Sequence, residues 1–180
     1  MSKKIVLKMI LCGDGAVGKT SLVKRYIDHT FQADYRPVMG VDITSKDVKL
    51  EDGREVTISI HDIGGQERWS AFRDRFYRGA HLAMFVYDLT RPESLESLTK
   101  TWIPEFLKFA PVEAQPHPPK FIIIGNKSDL KQLLQVSKRK GTSVAKKTNA
   151  IGNIRTSAKD DVNVEKAFVD LITAFLPPNK

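Results

Sequence analysis

Residues Gly13-Asp14-Gly15-Ala16-Val17-Gly18-Lys19-Thr20 set three glycines before a lysine and a hydroxyl. Glycines let a backbone wrap around an anion with its N–H groups pointing inward. The apolar run Ile5 to Cys12 reads as a buried strand, and Ser21-Leu22-Val23-Lys24-Arg25-Tyr26 continues as a helix. That order of strand, glycine-rich turn and helix is the context a phosphate-binding P-loop requires. The helix N-terminus adds partial positive charge. Lys19 can then reach the β- and γ-phosphates of a nucleotide, and the Thr20 hydroxyl can ligate Mg²⁺. Residues Gly13 to Ser21 are therefore candidate nucleotide ligands.

Three later motifs narrow the chemistry. Asp62-Ile63-Gly64-Gly65-Gln66 follows the alternation Val56-Thr57-Ile58-Ser59-Ile60, Asn126-Lys127-Ser128-Asp129 follows the apolar run Phe121 to Gly125, and Thr156-Ser157-Ala158-Lys159 follows Ile151 to Ile154. Each lies at the carboxyl end of a predicted strand, where open α/β sheets place their ligands. A carboxylate at Asp129 can accept from guanine N1–H and from its exocyclic amine. Adenine offers neither donor there, and the unpaired carboxylate can discriminate by about 10⁴-fold. The Ser157-Ala158-Lys159 turn can offer backbone N–H to the guanine oxygen. An ATP-dependent kinase on the same scaffold would leave Asn126 to Asp129 without a role.

The elements that must hold these motifs follow from the patterning. Apolar runs alternate with helical stretches, which predicts an α/β fold on a largely parallel sheet. Strands are expected near 4–12, 45–51, 54–61, 82–88, 120–125 and 151–155, with Asp52-Gly53 turning an antiparallel hairpin between the second and third. Helices are expected over about 18–28, 67–78, 92–109, 136–148 and 162–176. The spacing of Leu95, Leu98, Trp102 and Phe106 supports the third of these. The stretch from Ala110 to Pro119, with four prolines, reads as a surface loop. At 180 residues, without repeats, one domain over 1–180 is expected.

Hydrophobic content of 41% and charged content of 28% describe an ordinary globular chain. No apolar run approaches the roughly 20 residues of a membrane span, and no secretory leader pattern is present, so a cytoplasmic setting is expected. Cys12, the single cysteine, is expected as an inert core thiol. The net charge of +8 gathers most densely at Lys138-Arg139-Lys140 and Lys146-Lys147. Without aromatic interleaving or a nucleic-acid motif, these read as a solvated helix face with weak attraction for acidic lipid, and no nucleic-acid partner is expected.

Over nearly its whole length the chain resembles the Ras superfamily of small GTPases, most closely the Rab branch. The resemblance rests on Gly13 to Ser21, Gly40-Val41-Asp42, Gly65-Gln66-Glu67-Arg68, Phe76-Tyr77-Arg78-Gly79-Ala80, Val86-Tyr87-Asp88-Leu89-Thr90, Asn126 to Leu130 and Thr156 to Lys159. Ile63-Gly64-Gly65 is similar to Arf proteins, and the P-loop wording also occurs in Rho-like members. The resemblance implies a small G domain that binds GTP or GDP with Mg²⁺ and slowly hydrolyses GTP as a molecular switch in membrane-traffic-like regulation. Thr20 would be a direct Mg²⁺ ligand and Asp62 an indirect one through water. Lys19 and Gly65 would contact the γ-phosphate end, and Gln66 would orient the attacking water. Effectors, exchange factors and activating proteins would meet residues 31–43 and 63–77.

Departures from the family pattern matter as much. Val38 stands where a Mg²⁺-ligating threonine is expected, which weakens closure of the first mobile loop over GTP. The alternative is an interaction module in which nucleotide is structural and switching vestigial. Ile43, His61 and Phe76 replace the usual aromatic trio of Rab proteins, so a different partner surface is expected, with His61 a half-exposed strand residue. Arg36 reads as a solvent-exposed arginine. Phe31 or Tyr35 can lie over the nucleotide. With Ser2, and no cysteine after Leu176, no lipidation site is expected within this sequence, which fits either a trimmed tail or a protein that uses no lipid anchor, and peripheral membrane contact is expected.

Overall fold

A computed structural model describes residues 5–33, 39–65, 72–112 and 117–177. Its centre is a six-stranded sheet made of β1 (Ile5–Cys12), β2 (Val41–Lys49), β3 (Glu55–Ile63), β4 (Leu82–Asp88), β5 (Lys120–Asn126) and β6 (Asn153–Arg155). The strand order is β2-β3-β1-β4-β5-β6, and all neighbours are parallel except β2 and β3. The hairpin turns at Gly53, whose φ of 84° suits a residue without a side chain. Asp52 braces it by accepting from the Arg54 backbone N–H at 3.2 Å.

Alternation along the strands sends side chains into two cores. Leu7, Met9 and Leu11 join Ile58, Ile60 and Met84 beneath α1 (Lys19–Asp28) and α6 (Val164–Phe175). There Tyr26 of α1 stacks on Phe168 of α6 at 3.8 Å. Ile10, Cys12, Phe85 and Ile123 face the other side. That side is covered by α2 (Arg73–Tyr77), α3 (Pro92–Ser97), α4 (Ile103–Phe109) and α5 (Lys138–Thr148). Cys12 is fully buried, and burial pushes its thiol well above the usual range, as an inert core cysteine requires.

Several boundaries differ from the sequence expectations. β2 begins at Val41, four residues early, because its ladder runs from Val41 opposite Ile63 to Lys49 opposite Glu55. Polar Asp42, Thr44 and Ser45 hid that start, since an edge strand is defined by pairing more than by apolar content. β6 shrinks to three residues, and α5 and α6 each start two residues late. The helix expected over 92–109 is broken by a π-helical turn at Leu98–Trp102, where the Ile103 N–H donates to the Leu98 carbonyl five residues back. Pro104 gives the reason: its ring clashes with a carbonyl four residues earlier, and a widened turn relieves that. Of the helix expected over 67–78, Arg73–Tyr77 is helical, and residues 66–71 lie outside the described part.

Candidate nucleotide-binding site

Four loops at the carboxyl ends of β1, β3, β5 and β6 meet around a cavity of about 380 Å³. From the first loop come Ala16, Gly18, Lys19, Thr20 and Ser21, and from the second Asp62 and Gly65. Asn126, Lys127 and Asp129 line it from the third loop, and Ala158 and Lys159 from the fourth. Phe31 also lines the cavity. Gly13, Asp14, Gly15, Val17 and Ser157 are not among the residues that line it. Gln66, Tyr35, Arg36 and Val38 lie outside the described residues.

Gly18 precedes α1 with φ 99°, and any Cβ there would run into the Asn126 amide. That amide does the tethering: its Nδ2 donates to the Val17 carbonyl at 3.0 Å, while its Oδ1 accepts from Thr156 Oγ1 at 3.1 Å. Asn126 thus ties the β1 loop to the β6 loop. Gly65 approaches so closely that a Cβ would sit 2.5 Å from the Gly15 nitrogen and 2.6 Å from the Gly13 carbonyl oxygen. Only glycine lets the β3 loop rest on the P-loop backbone.

Lys19 is buried, with its ammonium donating to the Gly13 carbonyl at 2.7 Å and the Asp14 carbonyl at 3.0 Å. Burial pushes its pKa below the usual lysine value, against the pull of Asp62. Asp62 is also buried, which raises its carboxyl, and Lys19 and Thr20 oppose that rise. The Thr20 hydroxyl donates to Asp62 Oδ2 at 2.5 Å, while Oδ1 is buried without a hydrogen-bond partner among the described residues. An orphaned carboxylate oxygen beside a hydroxyl suits a hard, hydrated divalent cation. The residues present therefore fit Mg²⁺.

At the Asp129 end of the cavity, Ser157 Oγ donates to Asp129 Oδ1 at 2.7 Å and fixes the carboxylate on the wall. In the Ser157-Ala158-Lys159 turn, expected to offer backbone N–H, the donors differ in how firmly they are engaged. Ser157 N–H is committed to the Val162 carbonyl at 3.1 Å, in a small antiparallel bridge. Ala158 N–H makes a longer 3.3 Å contact with Asn126 Oδ1 and is the more readily diverted donor.

Two supports were missed at the sequence level. Asp88, at the end of β4, pairs with Lys127 Nζ at 2.6 Å and with Arg91 Nε at 3.3 Å. Arg91 in turn donates to the Gly15 carbonyl at 2.8 Å. A carboxylate ending a buried strand was the signal that could have revealed it. Trp102 reaches from the π-helical turn to donate its indole N–H to Asp14 Oδ1 at 2.8 Å. Arg73 of α2 stacks over the same indole at 4.2 Å and pairs with Glu105 at 2.9 Å. Its helical spacing had marked Trp102 only as core.

An α/β sheet of this order, with four loops converging at its strand ends, is a nucleotide-binding architecture. The family model described as "Ras family" matches residues 8–176. A Rab-7b protein of Paramecium octaurelia is 39% identical over 175 residues, covering 96% of this chain and 82% of its own length. Rab7 of Drosophila melanogaster is 41% identical, covering 92% and 78%. The Ypt/Rab-type GTPase YPT7 of Saccharomyces cerevisiae is 37% identical, covering 99% and 85%. The chain belongs to the Ras family and is a Rab-like small GTPase, an enzyme that hydrolyses GTP. Membership implies GTP and GDP as ligands, and regulatory and effector partners in general.

Proposed function

We propose that residues 1–180 form one G domain that holds GTP or GDP with Mg²⁺ in the cavity between the four loops, hydrolyses GTP slowly and switches between two states in membrane traffic. The observation that carries this reading is the joint placement of Asp129, Lys19, Thr20 and Asp62 around one cavity. Asp129, oriented by Ser157, accepts from the guanine edge. Lys19 leaves the two P-loop carbonyls that hold its ammonium and turns to the β- and γ-phosphates. Thr20 would ligate Mg²⁺ directly and Asp62 through water; the ion supplies charge neutralisation at the phosphate oxygens. Gly65 offers its N–H at the γ-phosphate end from its seat on the P-loop. Gln66 orients the attacking water, and intrinsic turnover is of the order of 10⁻⁴–10⁻³ s⁻¹, as for this class without a helper protein.

Partners that read the nucleotide state meet residues 31–43 and 63–77, where Met39, Ile43 and Phe72 stand exposed. His61, on β3 opposite Ile43, is half-buried, with Ser59 Oγ 3.1 Å from its Nε2. Burial and then Lys8 lower its pKa, so it is neutral at pH 7 and does not act as a switch there. The alternative of a module with vestigial switching draws no support from the Rab relatives. Single-turnover hydrolysis of GTP tests the catalytic assignment. Gln66→Leu should slow it at least about tenfold with little change in GDP affinity, because Gln66 acts on the water and not on bound nucleotide. Equal rates in both proteins would remove Gln66 from the chemistry.

A further inference from the structure

Residues 131–159 hold eight of the chain's 29 Lys and Arg and none of its 21 Asp and Glu. The remaining 21 cations match the 21 carboxylates, so the whole net charge of +8 resides in this stretch. Five of the eight stand on α5, and Lys138, Arg139, Lys140, Lys146 and Lys147 are all exposed. At about 100° per residue, Arg139, Lys140, Lys146 and Lys147 share about a third of the helix circumference with Ser143. Buried Gly141 and Ala145 lie on the opposite side. Among the described residues, no ion pair or hydrogen bond engages these side-chain cations.

Folding does not call for the cations at the start of this helix. Lys138, Arg139 and Lys140 fill the first turn of α5, which has no acidic residue. The partial positive charge of a helix N-terminus disfavours cations there. A local rule broken without a compensating contact is expected where function imposes it. Two further observations choose the partner. Exposed Leu133 precedes the helix and exposed Ile151 follows it, which suits a bilayer interface. No aromatic residue occurs between 131 and 159 to stack on bases.

We propose that α5 is a docking face for an anionic lipid bilayer, engaged through Arg139, Lys140, Lys146 and Lys147. α5 joins β5 to β6 at one end of the sheet order, and β2 lies at the other end. A membrane against α5 therefore leaves the β2 edge turned toward other partners. The proposal extends the membrane-traffic reading and uses none of the nucleotide-site residues, so either can fail alone.

The test is co-sedimentation of the GDP-loaded chain with vesicles of phosphatidylcholine alone or with roughly a third phosphatidylserine. Binding should require phosphatidylserine and fall as salt rises. Each basic side chain near an anionic leaflet strengthens binding about fivefold, so Arg139→Gln with Lys146→Gln and Lys147→Gln should weaken it about 100-fold. Lys49→Gln with Lys100→Gln and Lys108→Gln removes the same charge from exposed positions elsewhere and should bind far more strongly than the α5 variant. Labelled-GDP binding should be unchanged in both variants, which shows that each is folded. Equal losses in the two variants, or no binding of the wild type to anionic vesicles, would overturn the proposal. Tighter retention on polyglutamate or an oligonucleotide through the same α5 residues would assign the face to another polyanion and overturn it too.

Discussion

Asp88 is almost fully buried, yet its carboxylate meets Lys127, Arg91 and both the N–H and hydroxyl of Thr90. Burial works against ionisation, but the hydrogen bonds from Lys127 and Thr90 prevail and hold the carboxyl below the usual range. A depressed carboxyl contributes stability above its unfolded value and loses it as pH falls through the folded value. Asp88→Asn should therefore cost about 1.5–3 kcal/mol at neutral pH. In urea melts its gap to the wild type should close as pH drops below about 4; a gap that stays constant would show that the charge on Asp88 is immaterial. Val38 calls for a different measurement. Val38→Thr should add a hydroxyl ligand only when GTP is bound, shifting closure of residues 31–43 by roughly 10- to 150-fold. Hydrogen exchange should show new protection there with a GTP analogue and not with GDP. Full protection already present in the wild type would make Val38 a neutral replacement. At this scale the site was largely legible, because Lys19, Thr20, Asp62, Asn126 and Asp129 are fixed by chemistry at short spacings. Asp88 and Trp102 were not, since each acts on a loop far away in sequence.

The π-helical turn shows what periodicity cannot resolve. Leu95, Leu98, Trp102 and Phe106 fit an uninterrupted helix as well as a broken one, so Pro104 was the only local clue. The consequence is functional, because the turn carries the indole that holds Asp14. Asp14 supplies one of the two carbonyls on which Lys19 rests, and its backbone carbon also touches the seat of Gly65. Trp102→Phe keeps an aromatic ring and removes the N–H. It should destabilise the fold by about 1–3 kcal/mol, as a part-buried carboxylate oxygen loses its donor. Stopped-flow release of labelled GDP should also quicken, on the order of tenfold; release at the wild-type rate would mean the loop holds Asp14 unaided. Edge strand β2 taught the complementary lesson, since pairing with β3 defines it where hydropathy does not.

Across the whole molecule, strand order and loop position were readable because a parallel sheet delivers successive strand ends to one side, where all four motifs meet. The accumulation of charge on α5 was visible in the sequence, but its isolation from every described counter-ion required the fold. Among the described residues no helix is long and apolar enough to cross a membrane. In the proposed function, this cavity reads guanine through Asp129 and holds its phosphates through Lys19, Thr20 and Mg²⁺. Equilibrium titration of the wild type and Asp129→Asn with labelled GDP, against competing ADP and xanthosine diphosphate, with and without Mg²⁺, tests it most directly. The wild type should bind GDP more tightly with Mg²⁺ and ignore ADP, and the variant should lose GDP and gain the xanthine nucleotide, because the amide presents a donor where the carboxylate accepted. Effective competition by ADP, or unchanged GDP binding in Asp129→Asn, would contradict it.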